Sequence, residues 1–112
     1  MKIGEVIRTL RKYKNISQTE LAQKCEISAT SLSQIEKDSK RPSRTTMAKI
    51  CIALEVPESL IYVMGTEDTD VPADRKEVFN TVFPTLKRMF MNLITDEKEL
   101  KALSRNVSNV ID

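Results

Sequence analysis

The stretch from Ser17 to Pro42 constrains the fold most, because it reads as two short helices joined by a tight turn. Ser17-Gln18-Thr19-Glu20 fits a capping box: a serine N-cap with a glutamate three residues on, each able to satisfy a backbone amide left free at the helix start. Leu21, Ala22 and Cys25 then fall on one face at helical spacing. After Glu26-Ile27, Ser28 is placed to cap a second helix whose inner face carries Leu32 and Ile35. Its outer face is Ala29, Thr30, Ser31, Ser33, Gln34 and Lys37, short side chains that are uncharged or basic and form hydrogen bonds readily. A solvated helix more often carries charges of both signs there. This small polar face suits the major groove of DNA, where base edges offer donors, acceptors and thymine methyls.

Helical periodicity continues on both sides, with no convincing alternating strand. Ile3, Val6, Ile7 and Leu10 mark a first helix ending near Tyr13-Lys14-Asn15, where asparagine can take the left-handed conformation of a helix stop. Asp38 to Pro42 is a polar loop, and Pro42-Ser43 prepares a fourth helix with Met47, Ile50, Cys51 and Leu54 inward. Val56-Pro57 ends it, since proline disfavours the helical conformation in the residue before it. Leu60, Ile61 and Met64 belong to a short fifth helix stopped by Gly65. Residues 1–65 are therefore expected to form one compact all-α domain.

Residues 66–74 read as an acidic linker, with Glu67, Asp68, Asp70, Asp74 and Pro72 and no apolar period. In residues 75–112, Val78, Phe79, Val82, Phe83, Leu86, Met89, Phe90, Leu93 and Ile94 sustain a helical stripe interrupted by Pro84. An interior proline costs roughly 3 kcal/mol and removes a hydrogen bond, which predicts a kink or break near Val82-Phe83. Asp96 with Glu99 can cap a last helix carrying Leu100 and Leu103. This tail is shorter than the roughly 40 residues at which a lone core usually suffices. Its stripe must be covered by another copy of the tail, by the first domain or by a different protein. Self-association is the leading expectation, which makes the segment an oligomerisation surface.

The net charge of +2 hides an asymmetry. Residues 1–65 hold eleven Lys/Arg against seven Asp/Glu, whereas residues 66–112 hold seven against nine. A positive excess on the first part suits phosphate contact without requiring it. Glu5, Arg8 and Arg11 near the start give no expectation of a signal peptide. Apolar runs such as Ile50 to Leu54 fall far short of a membrane span. Cys25 and Cys51 sit on apolar helical faces in a chain without histidine, so neither a usual zinc site nor a nucleophile–base pair is expected. They read as reduced core residues, with a redox switch as the remaining alternative. Gly4 and Gly65 are the only glycines, too few for a phosphate-cradling loop. Neither an enzyme nor a cofactor is expected.

Taken together, residues 3–62 resemble the helix-turn-helix domain of the Cro and phage-repressor type, also called the xenobiotic-response-element family. The matching residues are Ile7, Leu10 and Arg11; Ser17 through Ala22; the Ile27-Ser28 turn; and Leu32-Ser33-Gln34-Ile35-Glu36. Arg41-Pro42-Ser43, Ile50 through Val56 and Leu60 complete the pattern, which covers just over half of the chain. The resemblance implies a five-helix lambda-repressor-like DNA-binding domain, here followed by the C-terminal helical segment. It implies that Gln18 touches a phosphate and braces the start of the recognition helix. Ala29, Thr30 and Gln34 match positions facing base edges, with Ser28, Ser31 and Lys37 flanking them. Gln34 suits direct readout, because a primary amide can bond adenine bidentately, and Ala29 or Thr30 can meet a thymine methyl.

Lys40, Arg41 and Arg44 match a loop that follows the phosphate backbone, and Arg11 and Glu36 match an ion pair between the first and third helices. Where the family usually has glycine after the recognition helix, this chain has Lys37-Asp38. Aspartate tolerates the left-handed conformation better than most residues. With alanine at position 29, specificity leans on methyl contacts and DNA deformability. The function implied is a cytoplasmic transcriptional regulator of bacterial or phage origin. It would be a dimeric repressor on a two-fold operator, with an antagonist or toxin protein as a further partner. The alternative is an antitoxin or interaction adaptor whose C-terminal helices bind another protein.

Overall fold

A computed structural model describes residues 1–95. Its helices are α1 (Ile3–Tyr13), α2 (Gln18–Lys24), α3 (Ala29–Glu36), α4 (Arg44–Leu54), α5 (Glu58–Met64) and α6 (Lys76–Thr95), with no strand among the described residues. Serine hydroxyls start three of them. Ser17 Oγ accepts from the Glu20 amide, Ser28 Oγ from Ser31 and Ser43 Oγ from Thr46, at 3.0, 3.0 and 3.1 Å. Only the serine half of the expected capping box is made at Ser17.

The helix ends are built alike. Asn15, Glu26, Asp38 and Glu55 close α1 to α4 in the left-handed conformation, with φ of 57°, 57°, 60° and 57°. In each, the following amide reaches back to close a wider loop: Ile16 to Arg11 O, Ile27 to Ala22 O, Ser39 to Gln34 O and Val56 to Cys51 O. These are Schellman closures, which satisfy carbonyls otherwise orphaned at the helix end. Ile16, Ile27 and Val56 then turn an apolar side chain back onto the core.

Among the described residues, all fifteen buried apolar side chains lie between Val6 and Met64. Every inner-face residue of α2, α3 and α4 expected from spacing is among them, including Cys25 and Cys51 as free thiols. Burial pushes the Cys51 thiol up to about 11, helped by Glu58 and Cys25, and raises Cys25 as well. Such thiols stay protonated and are poor nucleophiles.

Beyond Gly65 the structure departs from expectation twice. The linker is not featureless: it folds into two 3-10 turns, Asp68–Asp70 and Ala73–Arg75, the first closed by a reciprocal Glu67–Asp70 capping box. Both turns pack against α6. Secondly, α6 runs unbroken through Pro84, so the break expected near Val82-Phe83 is absent. The carbonyl that loses its donor belongs to Asn80, which is exposed and can be solvated, as is Pro84 itself.

The apolar stripe of α6 splits into two faces. Phe90 and Met91 pack against the first domain's core, so part of the expected oligomerisation surface is used within the chain. Phe79 and Phe83 stack with centroids 4.6 Å apart, and Lys87 Nζ lies 5.8 Å from the Phe83 ring centre. Val78, Val82, Leu86 and Met89 face outward, each 41% to 62% exposed, and Leu93 is half-buried. The expected last helix with Asp96, Glu99, Leu100 and Leu103, and the side chain of Ile94, lie outside the described residues. No helix among the described residues is long and apolar enough to cross a membrane.

Candidate nucleic-acid interface

Three anchors fix α3, and none of them uses its outer face. Leu32 and Ile35 are buried on its inner side. At its C-terminal end Glu36 takes a two-point grip from Arg11, with Nε to Oε2 at 2.8 Å and Nη2 to Oε1 at 3.0 Å. Arg11 Nη1 also donates to the Ile16 carbonyl at 3.0 Å, so the guanidinium ties α1, the following turn and α3 together. The third anchor joins Asp38 to the start of α1: its carboxylate accepts from the Gly4 amide at 2.8 Å. A Cβ on Gly4 would collide with the Ile35 carbonyl oxygen and crowd the Asp38 carboxyl. Glycine is therefore required there for close approach of α1 to the end of α3, not for unusual dihedrals.

Gln18 holds the other end of α3 than expected. Its Nε2 donates to Glu36 Oε1 at 3.2 Å, joining the start of α2 to the C-terminus of α3 rather than to its start. The side chain of Gln18 still lines the same surface as the outer face of α3. Gln18, Ala29, Thr30, Ser33, Gln34, Lys37 and Ser39 surround an open concavity of about 440 Å³. Ala29, Thr30, Gln34 and Lys37 are exposed, while Ser33 is half-buried. Ser39 is an addition: its hydroxyl donates to the Gln34 carbonyl at 3.1 Å and stiffens the backbone under Gln34.

The remaining candidates lie at the margins. Ser28 is the N-cap described above. Ser31 is half-buried and accepts from Lys40 Nζ at 2.9 Å, which draws the Lys40 ammonium onto α3. Lys40 and Arg41 both line a second groove, together with Lys2, Asp38, Glu67 and Asp70. Arg44, the first residue of α4, lies close enough to Tyr62 to act on its phenol.

Arg8 was missed by the sequence reading. It borders a shallow basin with Gln18, Ser33, Glu36 and Lys37, next to the α3 concavity. The signal was available, since Arg8 and Arg11 are three apart on α1 and share a face. No group of acidic, cysteine or histidine side chains suited to a metal occurs among the described residues.

Five packed helices, with a short polar helix presented outward by buried anchors, define a helix-turn-helix domain. Residues 7–61 match the helix-turn-helix family model, and this segment is similar to domains of the Cro and phage-repressor type. It is 34% identical over 61 residues to an immunity repressor protein of Bacillus phage phi105, covering 54% of this chain and 42% of that protein. It is 31% identical over 65 residues to the transcriptional regulator ClgR of Mycobacterium tuberculosis, covering 58% of each. The chain spans about half the length of the curated relatives it matches.

Proposed function

We propose that this protein is a sequence-specific DNA-binding transcriptional regulator. It acts as a dimeric repressor on a two-fold operator with α3 in the major groove. The observation that carries the proposal is the concavity that gathers Gln18, Ala29, Thr30, Gln34 and Lys37 on the outer side of a helix held rigidly from behind. Gln34 supplies an amide for a base edge, Ala29 and Thr30 methyl-sized surface, and Lys37 and Arg8 charge for flanking phosphates. Lys40, Arg41 and Arg44 add basic charge at the periphery. The names of the two relatives, an immunity repressor and a transcriptional regulator, agree with this role.

Two copies are needed because a short helix reads few base pairs, and linking half-sites multiplies weak affinities. Recognition helices about 34 Å apart would enter successive major grooves. Such a regulator works in the bacterial cytoplasm, on host or phage promoters. The exposed α6 face favours a second reading, in which the tail engages a different protein, as an antitoxin or adaptor does. A stoichiometric second protein in the purified material would support it.

Selection of binding sites from random duplexes, followed by Gln34→Ala, tests the main proposal. The substitution should weaken binding to the selected site by about 1–3 kcal/mol and relax preference at one base pair per half-site. Lys37→Ala should weaken all sequences alike and flatten the salt slope by about one unit. If Gln34→Ala changes neither affinity nor preference, α3 is not the reader.

A further inference from the structure

We infer that the outward face of α6 pairs with α6 of a second copy in antiparallel orientation, about a two-fold axis between Val82 and Phe83. The inference rests on the dimeric reading above and specifies its geometry. Val78, Val82, Leu86 and Met89 step by four, four and three along α6, so they form one continuous exposed ridge. The aromatic flank beside that ridge is already taken: Phe90 packs on the first domain, and Phe79 and Phe83 stack on each other. The opposite flank carries exposed Glu77 and Arg88, separated by about three turns and hence on one side of the helix.

This arrangement selects the orientation. In a parallel pair, the charged flank of one copy would face the aromatic flank of the other, which is turned toward the first domain. An antiparallel pair brings charged flank against charged flank. A two-fold axis midway between positions 77 and 88 places Glu77 of one copy beside Arg88 of the other, and the same contact repeats by symmetry. The axis that satisfies the charges also satisfies the ridge. Val82 meets its own copy, and Val78 falls level with the gap between Leu86 and Met89 of the second copy. A stable interface engages roughly 20–30 residues a side, more than one face of this helix offers. Pairing through α6 is therefore weak by itself and gains when one operator holds both copies.

Single cysteines in the full chain test the register, with unmodified protein as control for buried Cys25 and Cys51. Under mild oxidation Val82→Cys should give a covalent dimer rapidly. Val78→Cys should not, because its two copies lie about 14 Å apart along the axis at 1.5 Å per residue, too far for a disulfide. Mixed Val78→Cys and Leu86→Cys proteins should crosslink to each other. Glu77→Arg and Arg88→Glu should each weaken self-association on the order of tenfold, since two pairs per dimer change sign. The double exchange should restore it.

Equal crosslinking at positions 78 and 82 would overturn the antiparallel register in favour of a parallel one. A sedimenting dimer that crosslinks at neither position would place the interface elsewhere and leave dimeric operator binding intact. A monomer at all concentrations, on and off DNA, would remove the dimeric reading and this inference together.

Discussion

At Glu36 the residue is only 4% exposed, and a carboxylate so placed is costly unless paired. Three donors meet it: Nε and Nη2 of Arg11 and Nε2 of Gln18. The family resemblance implied the Arg11–Glu36 pair, and the structure buries both partners, which raises the cost of breaking it. Glu36→Ala should destabilise by about 3–5 kcal/mol, because it leaves a guanidinium unpaired in the interior. Chemical denaturation of single and double mutants checks this; additive effects would mean no coupling.

The Gly4–Asp38 contact joins residues 34 apart, and no local pattern announces it. Gly4→Ala should cost about 1–3 kcal/mol through overpacking, visible as a lower melting temperature. Cys51 adds a pH dependence. Its native thiol titrates near 11 against an ordinary 9.0, raised first by burial. A raised native value means its contribution is complete below pH 9 and is lost as pH climbs from 9 through 11. Stability should fall across that window, and Cys51→Ala should flatten the decline.

Among the helices, what was readable was whatever local chemistry writes down. Ser28 and Ser43 cap where spacing placed them, and Asn15 stops α1 in the left-handed region. Asp38 does the same after α3, where the family resemblance called for glycine. Glu26 and Glu55 adopt that conformation without any residue-type signal, because the closure of the following Ile27 and Val56 onto the core compensates their strain. Glu55→Gly should therefore stabilise by about 1 kcal/mol, the order of the left-handed penalty for an L-residue, provided the melt remains two-state. Pro84 misled in the opposite sense. Local propensity predicts a break, but a helix exposed on that side loses one bond to a carbonyl that water can satisfy. Pro84→Ala should raise the helical signal and stability without altering the fold; a change in oligomeric state on that substitution would mean that the proline shapes the interface.

For the whole molecule, the question is what the tail does for the domain and what it does for a second copy. Among the described residues, every fully buried apolar side chain lies in positions 6–64, and α6 adds the half-buried Phe90 and Met91 at the edge. Spacing alone could not separate these roles, because inward and outward residues on α6 are interleaved one turn apart. Deleting residues 75–112 should leave a cooperatively folding fragment, destabilised by roughly 2 kcal/mol through the loss of two partly buried side chains. It should sediment as a monomer and bind a full operator with little more than half-site affinity. Two point substitutions divide the effects. Leu86→Asp, on the outward ridge, should abolish self-association while leaving the melting temperature of the monomer unchanged. Phe90→Asp, turned onto the first domain, should instead lower the melting temperature by forcing a charge against apolar surface. If the truncated fragment remains a dimer at micromolar concentration, association resides in the helix-turn-helix domain, and the outward face of α6 is left for a partner protein.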